Sequence, residues 1–192
     1  MASEGLGCGW LADVVAFFLS RGRRHTRFLP VSWTRRCVYG TGLVETARLI
    51  RKDRELRAVI LQGDGKAFCA GLDFGTVMKQ PVKLLRSFTK YGIKKTNLFQ
   101  EVCWCWRELP IPVIAVLHGY CYGGGMQIAL AADFRITTPD CEMSIMEIKW
   151  GMIPDMTGTV TLRELVPMAV AKELTMTGRL VTGDDASTIT PD

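Results

Sequence analysis

Residues 111–136 read IPVIAVLHGYCYGGGMQIALAADFRI, and the order of their parts decides the fold. Val113 to Leu117 is a short continuous apolar run, the pattern of a strand buried on both faces. A glycine-containing turn follows, from His118 to Gly125. It opens into Met126 to Leu130, read as a helix, and Phe134 to Thr137 then reads as the next strand.

The same alternation continues on both sides. Leu98, Val102, Trp106 and Leu109 mark an amphipathic helix that Pro110 and Pro112 stop. Before it, Ala58 to Leu61 is another apolar run expected to be buried on both faces, closed by Gly63-Asp64-Gly65. Leu43, Ala47 and Ile50 predict a helix with Arg48, Arg51 and Lys52 turned to solvent. Further helices are expected around 82–90, from Thr159 to Leu165, and from Met168 to Met176, where Gly178 ends the last. Repeated alternation of strand and helix gives an α/β class with mainly parallel strands. One domain, 42–192, accounts for it.

Composition narrows the function classes. The chain has 192 residues, 48% of them hydrophobic, enough for one core. No apolar stretch approaches the roughly 18 residues a membrane-spanning helix needs, so no membrane partner is expected. Seven cysteines, at 8, 37, 69, 103, 105, 121 and 141, form no CxxC pair. Several lie in apolar runs, where cysteine acts as a small hydrophobe, and a reducing intracellular compartment is expected. With only His25 and His118, no metal site is expected.

Residues 1–44 carry a net charge of +4 and residues 45–192 only +1, so the basic balance belongs to the first segment. The body lacks the basic and aromatic interleaving of a nucleic-acid surface, and no nucleic-acid partner is expected. Residues 1–41 run from the apolar Trp10 to Leu19 into arginine-rich Arg21 to Arg36, without sustained period. They read as a poorly structured segment that packs little against the domain, or as a targeting peptide. The expected location is accordingly cytoplasmic, or mitochondrial if the segment targets.

Two glycine-containing turns follow the first two buried strands: Ala67-Phe68-Cys69-Ala70-Gly71-Leu72-Asp73, and His118 to Gly125. Glycines at a strand-to-helix turn let backbone approach a ligand closely. Two such turns side by side are able to aim two N–H groups at one oxygen. Neither turn has the GxxxxGK[ST] or GxGxxG spacing of a nucleotide site. Taken singly, either turn is equally open to a plain packing role.

With AFCAGLDF at 67–74, the stretch at 111–136, MSIMEIKWGMIPDMTGT at 143–159 and MTGRLVTGDD at 176–185, the sequence resembles the crotonase (enoyl-CoA hydratase/isomerase) superfamily from about Gly42 to Asp185. The resemblance implies a crotonase-like core of repeated ββα units and an acyl-CoA thioester substrate. It implies no separate cofactor, and assembly as a homotrimer or hexamer. It places backbone N–H donors for the thioester oxygen at Leu72 and Gly124, and the backbone around Ala70 and Gly71 near the adenine of coenzyme A. Asp73 is expected to cap a helix.

Hydratases of this family hold two glutamates at the reacting carbons. Here the first position is Gln127 and the second Glu147. An amide orients a water or a carbonyl but has no useful proton affinity near neutral pH. One base suffices to move a proton between two carbons, so the resemblance favours a double-bond isomerase over a hydratase. Apolar neighbours Ile145, Met146 and Ile148 suggest that Glu147 is partly buried with a raised pKa; the alternative is a surface carboxylate paired with Lys149. Asp155 falls where dienoyl-CoA isomerases carry an aspartate, and is otherwise a helix cap. Relative to the family, the sequence is expected to lack the strand that opens the fold and the helices that close it. An inactive thioester-binding fragment is therefore a further alternative. Gln127→Glu is expected to raise hydration, unless the new carboxylate lies so close to Glu147 that the two share a proton.

Overall fold

The computed structural model describes residues 41–71, 87–90 and 95–189, together with Val82, Leu85 and the backbone of 13–20 and 26–30. Seven strands are described: β1 (Asp13–Ser20), β2 (Thr26–Pro30), β3 (Leu56–Asp64), β4 (Val113–Leu117), β5 (Tyr120–Tyr122), β6 (Phe134–Thr137) and β7 (Glu142–Ser144). The helices are α1 (Thr41–Lys52), α2 (Leu98–Arg107), α3 (Gly124–Leu130), α4 (Gly158–Leu165), α5 (Met168–Thr177) and α6 (Gly183–Ile189), with a 3₁₀ turn at Met146–Trp150. Five strands form one sheet in the order β2-β1-β3-β4-β6, and β5 pairs with β7 in a second. β3, β4 and β6 run parallel, as do β5 and β7, while β1 is antiparallel to both its neighbours. The α/β reading with mainly parallel strands therefore holds.

Two expectations need correction. Residues 13–20 are not a loose leader: β1 pairs with β3 from Asp13↔Asp64 to Ser20↔Leu56, and with β2 on its other side. β2 forms the edge of the sheet beyond it. Val14-Val15-Ala16-Phe17-Phe18-Leu19 is rich in β-formers. That composition, and not alternation, is the signal that marks it as a strand. Residues 1–12, 21–25 and 31–40 lie outside the described residues.

The second correction concerns the parallel strands, which are fully buried on one face only. Val59, Leu61, Val113, Ala115 and Leu117 join the core with Val44 and Ile50 of α1 and Val102 and Trp106 of α2. The opposite face opens progressively toward the edge: Ile60 and Ile114 are half-buried, and on β6 Phe134 is 60% and Ile136 59% exposed.

α1 matches its sequence signal, with Arg48, Arg51 and Lys52 exposed. α2 begins at a capping box that period alone does not reveal: Asn97 accepts from the Gln100 N–H, and the Gln100 side chain accepts from the Asn97 N–H. α5 ends at Gly178 in the left-handed conformation. Among the described residues no helix is long and apolar enough to cross a membrane. Because β1 is paired on both sides, Ala16→Pro removes a ladder hydrogen bond whichever way its N–H points. It is expected to destabilise the protein by about 1–3 kcal/mol, the cost of leaving a ladder acceptor unpaired. Urea unfolding measures this, and an unmoved midpoint would show that β1 contributes nothing to the domain.

Candidate active site

Two loops leave the C-terminal ends of neighbouring parallel strands and continue to pair beyond the sheet. Phe68 N–H donates to His118 O (2.9 Å), Cys69 N–H to Tyr120 O (3.1 Å) and Tyr122 N–H to Cys69 O (2.9 Å). The His118 ring also stands 3.0 Å from the Gly65 carbonyl through Nε2. β5, which sequence reading took as part of a turn, exists through this pairing and its ladder to β7. Three-residue strands carry too little pattern to be read in advance.

The pairing brings the two glycine turns together. A Cβ on Gly71 would stand 3.6 Å from the Gly124 nitrogen and 3.1 Å from Tyr122 O. At Gly125 a Cβ would meet Cys69 Cβ and Cys69 O, both at 2.6 Å, so α3 sits directly on the first turn. Gly124 begins α3, and no acceptor for its N–H occurs among the described residues. Ala70 is half-buried and Gly71 buried in the adjoining loop. Leu72 and Asp73 lie outside the described residues.

Glu147 sits in the 3₁₀ turn at 7% exposure. Its Oε1 accepts from Gln127 Nε2 at 2.6 Å, and its Oε2 is buried without a partner. Gly123, in the left-handed conformation, faces it: a Cβ there would lie 3.5 Å from Oε1. Lys149 is exposed and forms no ion pair with Glu147 among the described residues, so the surface-pair alternative fails. Burial pushes the Glu147 carboxyl above the ordinary 4.5, and Asp155 adds to this. Its own backbone and the Gln127 amide pull the other way.

Gln127 is 1% exposed, and both ends of its amide are engaged, since Oε1 accepts from Gly158 N–H at 2.9 Å. Gly158 follows Thr157, a β-branched residue at φ +81°, where such side chains are rarely found. Asp155 is half-buried, and burial raises its pKa. It does not cap α4: Thr157 occupies that position, without a side-chain bond. The structure thus gathers Gly71, Gly124, Gln127 and Glu147 at one place, with Asp155 within electrostatic reach. Thr157 and Gly158 were missed by sequence reading, and only the unusual Thr-Gly after Ile153-Pro154-Asp155 hints at them.

An apolar cavity of about 650 Å³ lies behind this place, between β4, β6, α3 and the helices α4 to α6. Glu147, Gln127 and Gly124 are not in its walls, so the glycine turns and the buried carboxylate locate the site. Among the described residues no group of three or more His, Cys, Asp or Glu is placed to hold a metal. Cys69, Cys103, Cys105, Cys121 and Cys141 are all buried free thiols.

The mixed sheet, with two glycine turns beside a buried carboxylate, defines an α/β domain, and comparison with known proteins gives the family. The model of enoyl-CoA hydratase/isomerase matches residues 40–189. The chain is 36% identical over 137 residues to carnitinyl-CoA dehydratase of Salmonella enteritidis, covering 71% of this chain and 49% of that protein. It is 30% identical over 151 residues to the human mitochondrial enoyl-CoA hydratase domain-containing protein 2, covering 78% and 49%. The crystal structure of enoyl-CoA hydratase from Bacillus anthracis superposes with a TM-score of 0.67 at 30% identity, over 78% of this chain and 55% of that one. The protein belongs to the enoyl-CoA hydratase/isomerase family of the crotonase superfamily. It spans about half the length of the curated relatives it matches.

The contact at Gly125 gives a direct test. Gly125→Ala forces α3 away from the first turn and is expected to cost about 1–3 kcal/mol. Adding Cys69→Gly should not restore thermal stability, because the Cys69 carbonyl remains in the way. Recovery in the double variant would show that only the side chains meet.

Proposed function

We propose that the protein is an acyl-CoA enzyme that stabilises a thioester enolate and shifts a proton between two carbons, as a double-bond isomerase does. The observation that carries this is Glu147, with one oxygen held by Gln127 and the other buried and unpartnered beside the Gly123–Gly124 turn. The thioester oxygen of a 3-enoyl-CoA would be held by the N–H groups of Leu72 and Gly124. Glu147 takes a proton from carbon 2, the electron pair spreads onto the thioester oxygen, and the same carboxyl returns the proton at carbon 4. The double bond moves to carbon 2, with no net change in protons.

Hydration would need a second group to activate water. Gln127 cannot titrate, and its amide is already committed to Glu147 and Gly158. Asp155 is the second carboxylate in range, suited to a longer proton path on a dienoyl substrate. Ala70 and Gly71 would line the coenzyme A side. The reading needs no cofactor beyond the coenzyme A of the substrate, and the family resemblance favours a homo-oligomer, trimer or hexamer. The five buried thiols fit a reducing compartment, cytoplasm or mitochondrial matrix.

Glu147→Gln is expected to slow isomerisation of a 3-enoyl-CoA by about 10²–10⁴-fold. Thioester binding should stay within about tenfold, because the loss falls on proton transfer. Activity in the parent should rise with pH through a limb above 4.5, as the raised Glu147 carboxyl ionises. Stability should move oppositely: a carboxyl raised by burial weakens the fold as pH climbs through its folded-state pKa. Undiminished turnover in the variant overturns the assignment. Crotonyl-CoA hydration as fast as isomerisation gives the hydratase instead, and binding without turnover gives a thioester-binding role.

A further inference from the structure

We infer that Gln127 is a positioning residue, which fixes Oε1 of Glu147 and leaves Oε2 as the one oxygen free to exchange a proton with substrate. This rests on the reading of Glu147 as the base. The geometry carries it at three points. Gln127 Nε2 donates to Glu147 Oε1 at 2.6 Å and Gly158 N–H donates to Gln127 Oε1 at 2.9 Å, so the orientation of the amide is dictated from both ends. The Gly158 donor is brought so close that a Cβ there would stand 2.8 Å from Gln127 Oε1 and 2.9 Å from Pro154 Cβ. Third, the chain holds Thr157 in the left-handed region immediately before that donor, a conformation that β-branched residues rarely adopt. Strain, a missing side chain and a buried amide converge on one carboxylate oxygen.

The chemistry follows from what an amide is. A glutamine donates to a carboxylate at every pH, so Glu147 titrates as one group and keeps one oxygen fixed. The charged and titratable groups around it are Asp155 in the loop before α4 and Cys103 on α2. Burial pushes the Cys103 thiol up, so it stays neutral. After the backbone of Glu147 itself, Gln127 on α3 supplies the side-chain contact that favours the ionised base. The same 2.6 Å contact settles how Gln127→Glu behaves. The new carboxyl falls against Glu147, where it has to stay protonated to donate to Oε1 while accepting from Gly158. A shared proton replaces the gain in hydration that the sequence suggests.

The test compares the parent, Gln127→Ala, Gln127→Glu and Glu147→Gln. Carbon-13 NMR titration of the Glu147 carboxyl in the unliganded protein reads the contact without turnover, and rates on a 3-enoyl-CoA read its consequence. In Gln127→Ala the Glu147 titration and the acid limb of kcat should both move to higher pH. kcat should fall by about 10²-fold, the effect of a misplaced catalytic group, with KM within about threefold. Gln127→Glu, which keeps both hydrogen bonds while the pair holds one proton, should remain folded. Its pH profile should be bell-shaped, with a basic limb absent from the parent. A Glu147 titration unmoved in Gln127→Ala, or a Gln127→Glu profile equal to that of the parent, overturns the positioning role and leaves Gln127 as a tie between α3 and α4. Full turnover in Glu147→Gln instead removes the base itself, a failure distinct from the first.

Discussion

Three hydrogen bonds outside the main sheet join the segment after β3 to the segment after β4. They continue the parallel ladder past the point where the strands diverge, and both glycine turns hang from them. Because Cys69 is held between Tyr120 and Tyr122, the first turn cannot move away from the second. Because Gly125 lacks a side chain, α3 closes onto Cys69. Backbone is thereby presented from two sides, beyond the end of β4, whose Val113, Ala115 and Leu117 lie in the core.

The carboxylate at this junction is arranged differently. Turns are placed by backbone pairing, whereas Glu147 is placed by a side-chain relay running from Gly158 through Gln127. Burial alone favours the neutral acid, and hydrogen bonding to the charged form favours the base. Glu147 has one of each, with a satisfied oxygen and an orphaned one. Such a group is poised to change protonation when a ligand arrives, since only one of its oxygens is committed.

Most of the fold was legible because its signals are long or strongly periodic. β4, α1, α2 and α5 lie where apolar runs, period and glycine placed them. β1 was misread because its run does not alternate, and an apolar run followed by arginines resembles a leader as much as a strand. β5 and β7 are three residues each and exist only through partners distant in sequence. At the site, Gly124, Gln127 and Glu147 were named from motifs alone. What the sequence does not carry is that Gln127 and Glu147, twenty positions apart, touch, or that Thr157 adopts a positive φ. Both are products of the assembled chain.

Thr157 has one more consequence, for anyone who would make this protein sturdier. Relieving a β-branched residue of a left-handed conformation with glycine or asparagine is a standard route to higher thermal tolerance. Here the relaxed peptide would be the one whose neighbour orients the buried amide. Under the proposed reading, robustness and reactivity would compete at this single residue.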